Sequence, residues 1–191
     1  MDITAAIESR RSIRNFKDAP IPEADIRAIL HAGTLAPSGK NRQPWRFVVV
    51  QGAQREEMLR VMKEGIDAFE AAGVALGSSR NTLRIMAEAP VTIFVFADDE
   101  VAGDGLSQRE LIGLSVDIQS IGAAIENMLL AALERGLGTL WICDVFYAYE
   151  ELCHWLGEDR LMVAAVAVGY PNETPGPRPR TSVDEVTRWL G

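Results

Sequence analysis

Two cysteines and two histidines are the whole stock of thiol and imidazole in this 191-residue chain. Cys143 and Cys153 are too few for a disulfide framework, so a reducing cytoplasm is the expected compartment. His31 and His154 stand apart on separate helical stretches, and no Cys/His spacing suits zinc. Positive charge is scarce too: Lys and Arg total 19 against 27 Asp and Glu, a formal net charge of -8. That balance excludes a general nucleic-acid binder, which would carry a basic face. No run reaches the ~20 apolar residues of a membrane-spanning helix. Glu8, Arg10 and Arg11 break up the first apolar residues, so neither a membrane partner nor a secretory signal is expected. Asn172-Glu173-Thr174 is then a chance glycosylation sequon. Hydrophobic residues at 48% and charged residues at 24% describe a folded globular chain, read as a single domain over residues 1–191.

What is present is ordered by periodicity. Asp2 ahead of Ile3, Ala6 and Ile7 predicts a short capped helix ending near Arg10. Pro22 opens a second helix with Ile26, Ile29, Leu30 and Gly33 on one face. Residues 46–51 read as a buried strand, 53–72 and 80–88 as helices, and Val91 to Phe96 as a strand covered on both faces. Asp98-Asp99-Glu100 with Gly103 and Gly105 suggests an acidic surface loop. The longest helical pattern, 107–135, is apolar over more than one stripe and should be buried on several sides, ending at Gly136. Strands at 139–143 and 162–169 flank a short helix holding Trp155 and Leu156, and a tail runs from Val183 to Leu190. The fold class expected is α+β, a mixed β-sheet packed between helices. Gly136-Leu137-Gly138 follows a helix and precedes a strand, the reverse of the dinucleotide-binding order, so Gly136 reads as a helix stop.

Two stretches carry chemistry. Glu-Ser-Arg-Arg-Ser-Ile-Arg-Asn-Phe, residues 8–16, concentrates three arginines and two hydroxyls in an acidic chain. Guanidinium forks make charge-assisted bonds to phosphate oxygens, and Ser12 adds a neutral donor, so a small dianion suits it. Ala36-Pro37-Ser38-Gly39-Lys40-Asn41-Arg42-Gln43-Pro44-Trp45 fixes an irregular loop whose Ser38, Asn41 and Gln43 can read the polar edge of a flat heterocycle. Lys40 and Arg42 within it are also consistent with plain solvation.

Together, Arg10-Arg11-Ser12-x-Arg14 and the Pro37-Ser38-x-x-Asn41-x-Gln43-Pro44-Trp45 loop resemble the nitroreductase family of FMN flavoproteins. Gln119-x-x-Gly122-Ala123-Ala124-x-x-Asn127, Gly136-Leu137-Gly138-x-x-Trp141 and the closing Gly169-Tyr170-Pro171 with Pro177-Arg178-Pro179-Arg180 extend the resemblance. It implies an intertwined homodimer with FMN as cofactor and NAD(P)H as transient electron donor. Arg10 and Ser12 would lie at the phosphate, joined by Arg178 or Arg180, with Arg11 a further cofactor-binding residue and Arg14 toward the ribityl chain and pyrimidine edge. Pro37, Ser38, Gly39 and Asn41 would come from the other subunit along the ring. Trp141 and Ile142 would lie beside the flavin, with Asn81 and Arg84 as further candidates; core packing explains the first pair equally well. The implied activity is hydride transfer through the flavin to a small oxidised acceptor, a nitroaromatic or quinone, with no catalytic side chain. Specialised relatives that dehalogenate, oxidise or cleave flavin, and a flavin binder without turnover, remain open at this point. A thiol hydrolase built on Cys143 or Cys153 with His154 lacks an orienting motif.

Overall fold

In the computed structural model, residues 2–100 and 107–191 are described. Helix α1 (Ile3–Ser9) and α2 (Glu23–Thr34) precede strand β1 (Trp45–Gln51). Then come α3 (Gln54–Ala71), α4 (Ser79–Glu88), β2 (Val91–Glu100) and the long α5 (Gln108–Glu134). The chain closes with β3 (Gly138–Ile142), α6 (Tyr149–Leu156), β4 (Arg160–Gly169) and one last turn, α7 (Val183–Val186). The sheet runs β1-β2-β4-β3 with antiparallel pairs throughout. An isolated parallel bridge between Ser12 and Thr139 lies beside β3 but outside the four strands, whose own pairing is antiparallel rather than the mixed sheet expected.

The period of two explains why β2 and β4 read as unbroken apolar runs. Phe94, Phe96, Ala165 and Ala167 face one core with Met58, Met62 and Ile66 of α3 and Ile85 and Met86 of α4. Val91, Ile93, Val95, Ala164, Val166 and Val168 face the other, with Ile26 and Ile29 of α2 and Ile121, Ile125 and Met128 of α5. Two helical layers therefore sandwich one sheet. A Cβ on Gly33 would sit 3.0 Å from Met128 Cγ, which is how closely α2 and α5 pack.

The expected boundaries hold within a residue or two, with informative departures. Asp2 occupies the N-cap of α1 without a side-chain capping bond. Ser107 and Glu110 instead form a complete capping box on α5. Gly136 closes α5 with φ 70°, and Leu137 N–H returns to the Ala132 carbonyl at 2.9 Å. Asp98-Asp99-Glu100 extend β2 rather than beginning a loop, because β4 reaches back far enough for Arg160 to pair with Glu100. Gly103 and Gly105 lie outside the described residues. Helix α5 is the one described helix long and apolar enough to cross a membrane, yet it serves as a core helix. Only one stripe of it is buried, however. Leu111, Ile112, Val116 and Ile118 remain exposed, although the sheet, α1 and α2 all pack on this helix.

Candidate functional site

Helix α1 ends at Ser9, and Arg10 (φ -56°, ψ 132°) turns the chain into extended backbone. Ile13 N–H donates to the Thr139 carbonyl at 2.9 Å, laying residues 12–14 along the edge of β3. Extended backbone alternates its side chains, so Ile13 is buried while Arg14 is exposed. The approach is close because residue 138 is glycine: a Cβ there would lie 2.6 Å from Ile13 Cγ1. A second strap follows. Phe16 bridges Pro171, Lys17 N–H donates to the Tyr170 carbonyl at 2.9 Å, and Asn172 N–H to the Asn15 carbonyl at 2.9 Å. Glu173 Oε1 accepts from the backbone N–H groups of Arg14 and Asn15.

These straps bring the proline-arginine segment back across the N-terminal arginines. Arg10, Arg11, Ser12, Arg14, Pro175, Gly176, Arg178 and Arg180 line one open cleft of about 320 Å³. Arg10 Nε donates to Glu126 Oε1 of α5 at 3.2 Å. For Arg11, Arg14, Arg178 and Arg180, no carboxylate lies at ion-pair distance among the described residues. In a chain with more acid than base, convergent guanidiniums of which four have no carboxylate at ion-pair distance among the described residues form a seat for an anion.

Arg14 also lines a second cleft, of about 220 Å³, with Ser78, Asn81, Thr82, Ile85, Leu140, Trp141, Ile142, Cys143 and Asp144. In β3, Trp141 pairs with Val166 and Ile142 with Ala165. Ile142 is buried in the α3/α4 core, whereas Trp141 remains 38% exposed. Asp144 accepts from Ser78 Oγ at 2.6 Å and Thr82 Oγ1 at 2.5 Å, tying the start of α4 to the 3-10 turn Asp144–Ala148 after β3. Burial, and after it the Asp144 charge, push the Cys143 thiol above its ordinary range. Burial likewise raises the Cys153 thiol. Both directions oppose a nucleophilic thiolate, and with exposed His154 the hydrolase reading has no support. Asn81 lines the cleft; Arg84 is turned to Glu88 and Asn81 Oδ1 instead.

The loop 37–43 lines neither cleft of its own chain. It rests on the N-terminal half of α5, with a 3-10 turn at Gly39–Asn41 and Pro37 and Asn41 exposed. Arg42 is not simply solvated: it pairs at 3.0 Å with Asp117, a carboxylate buried to 1% exposure. Asp144 belongs to the strand-end loop that the sequence resemblance already placed beside the ring, but Asp117 and the Ser78 and Thr82 partners of Asp144 were not foreseen. Asp117 had a signal: an acid between Val116 and Ile118, on a helix this apolar, needs a buried partner. Leu35 and the tail residues Trp189 and Leu190 are also exposed, adding to the uncovered apolar side chains of α5.

An α+β fold with a cationic cleft that shares Arg14 with a second cleft, bordered by an aromatic and an apolar strand end, is built to seat an anionic, partly planar ligand. Residues 7–170 match the Nitroreductase family, and the chain belongs to that family. A Methanothermobacter thermautotrophicus protein provisionally named NADH dehydrogenase/NAD(P)H nitroreductase is 31% identical, over 97% of this chain and 86% of its own. The 5,6-dimethylbenzimidazole synthase of Rhodospirillum rubrum is 30% identical over 90% of this chain and 82% of its own. A structure from Desulfovibrio desulfuricans, solved in complex with FMN, superposes with a TM-score of 0.76 at 30% identity, over 100% of this chain and 98% of that one.

Proposed function

We propose that this protein is an FMN-dependent oxidoreductase that works as a homodimer. FMN held in this site would supply the hydride chemistry of a ping-pong reaction, between NAD(P)H as donor and an oxidised acceptor such as a nitroaromatic or quinone. The observation that carries this reading is the pair of clefts joined at Arg14. The donor set fits the group: four arginines with no carboxylate partner among the described residues and the Ser12 hydroxyl surround a space suited to a phosphate dianion. Arg178 and Arg180 line that space together, so both are assigned to the phosphate. Arg14 holds a fixed positive charge at the junction, where it favours negative charge on the pyrimidine side of a reduced ring. Trp141 and Ile142 border the ring, Trp141 by its exposed face and Ile142 through the strand end it anchors. Asp144, held by two hydroxyls, fixes that strand end against α4.

Residues Pro37, Ser38, Gly39 and Asn41 are assigned to the flavin of the second copy. The loop stands outside both clefts of its own chain, amid the exposed apolar residues of α5 and Leu35 that a second copy would cover. The test is the visible spectrum of the purified protein, followed by anaerobic NADH or NADPH. Flavin bands that bleach within seconds are expected. A protein that stays colourless after incubation with FMN would overturn the reading, and a stable, fully FMN-loaded monomer would overturn the assignment of the loop.

A further inference from the structure

Three non-glycine residues of the loop adopt left-handed backbone: Lys40 (φ 54°), Asn41 (φ 56°) and Gln43 (φ 51°). Residues with a Cβ enter that region only against a steric penalty, so the surroundings must hold them there. Part of the restraint is internal. Asn41 N–H donates to the Ser38 carbonyl at 3.0 Å, Arg42 N–H to the Gly39 carbonyl at 3.1 Å, and Gln43 N–H to Ser38 Oγ at 3.1 Å. These bonds shape the loop but do not locate it.

What locates it is a little over one turn of α5. Gly39 N–H donates to Ser120 Oγ at 3.4 Å, and its Cα is pressed so near Val116 that a Cβ would fall 2.4 Å from Cγ1. Between those two helical residues, Asp117 pairs with Arg42 at 3.0 Å. A carboxylate this deeply buried is stable only with its counter-charge in place, so a rigid helix dictates where the Arg42 guanidinium lies. Arg42 in turn stands between left-handed Asn41 and Gln43.

We propose that Asp117 and Arg42 are positioning residues: the buried carboxylate of α5 clamps loop 38–43 in its left-handed form and so sets how Ser38 and Asn41 are presented to the flavin of the second copy. The proposal rests on the assignment of that loop to the flavin. Neither residue touches the flavin; they act through Asn41 and Ser38.

The test compares wild type with Asp117→Asn, which keeps the shape and removes the charge, and Arg42→Lys, which keeps the cation. Backbone hydrogen exchange is read by NMR on flavin-free and FMN-loaded protein. Flavin absorbance and the rate of reduction by saturating NADH or NADPH are read by anaerobic stopped flow. Asp117→Asn is expected to speed exchange at the Gly39, Asn41, Arg42 and Gln43 amides about tenfold or more. Met128 and its neighbours in α5 should stay protected. The same variant should shift the flavin absorbance and slow reduction at least fivefold, and Arg42→Lys should retain most of the wild-type rate. If Asp117→Asn does not fold, Arg42→Gln at the half-exposed end of the pair serves instead. Unchanged loop exchange overturns the clamp, whatever the flavin does. Faster exchange with unaltered flavin absorbance and reduction rate overturns the positioning role. Failure of the wild type to bind or reduce flavin would instead defeat the assigned function, and the exchange of flavin-free protein distinguishes the two.

Discussion

Replacing Gly138 with alanine puts a methyl group 2.6 Å from Ile13 Cγ1 and 3.0 Å from Ile13 Cβ. Ordinary contact begins near 3.4 Å, so strand and strap must separate by about 0.8 Å. Ile13 cannot swing aside: it is β-branched, buried, and packed in the α3/α4 core. Overpacking of this kind costs about 1–3 kcal/mol. At roughly 2–4 °C per kcal/mol for a chain of this size, melting of the flavin-free protein should fall by about 4–8 °C for a mid-range cost. The second effect is functional, because Ser12 and Arg14 flank Ile13. A displacement of about 0.8 Å stretches a hydrogen bond of ~2.9 Å beyond useful range. Losing one charge-assisted contact removes about 1.5–3 kcal/mol, or roughly 10–150-fold in FMN affinity. Differential scanning fluorimetry of flavin-free protein and fluorescence titration with FMN read the two effects separately. Adding Ile13→Ala, which removes the clashing Cγ1 and Cγ2, should recover part of the stability, giving a coupling energy of about 1 kcal/mol or more. A lowered melting temperature with unchanged FMN affinity would refute the link between the strap and the phosphate site. No change in either would refute the close packing.

Arg14→Ala removes the one cation shared by both clefts and should weaken FMN binding by about 2 kcal/mol, roughly thirtyfold, measured by titrating the flavin-free protein. Full retention of FMN through dialysis would contradict it. Thr92 is fully buried on β2, and its hydroxyl has no hydrogen-bond partner among the described residues. Thr92→Val should therefore raise unfolding stability by about 1 kcal/mol in urea titration, and a loss of stability would expose a missed partner. With the Cys143 thiol raised first by burial and then by Asp144, its thiolate is scarcer at a given pH than that of an ordinary cysteine. Alkylation by iodoacetamide should then rise at higher pH than for a cysteine peptide, and Asp144→Asn should move the profile partway down. A profile at or below that of the peptide would refute the shift.

The elements of this fold were legible because their signals are local. The unbroken Val91–Phe96 run implied a strand covered on both faces, and the structure supplies both cores. Gly136 announced the end of α5 because few other residues adopt φ 70° readily. The candidate site was legible in kind: arginines from residues 10–14 and from 178 and 180, far apart in sequence, do share a cleft. What local reading misjudged was context. Asp98 to Glu100 look like a loop by composition, yet a neighbouring strand long enough to pair keeps them extended.

The sequence by itself determined the period of each helix and strand, the identity of the cationic and loop motifs, and the family. Propensity, alternation and spacing are properties of contiguous residues. Only the tertiary structure decided that Arg14 joins two clefts, that Arg10 is drawn to Glu126, and that Arg42 is locked to a buried Asp117. Each of those outcomes depends on which charge a distant element carries to within about 3–4 Å. Electrostatic energy at that range is set by separation and by loss of solvent, and neither is written along the chain.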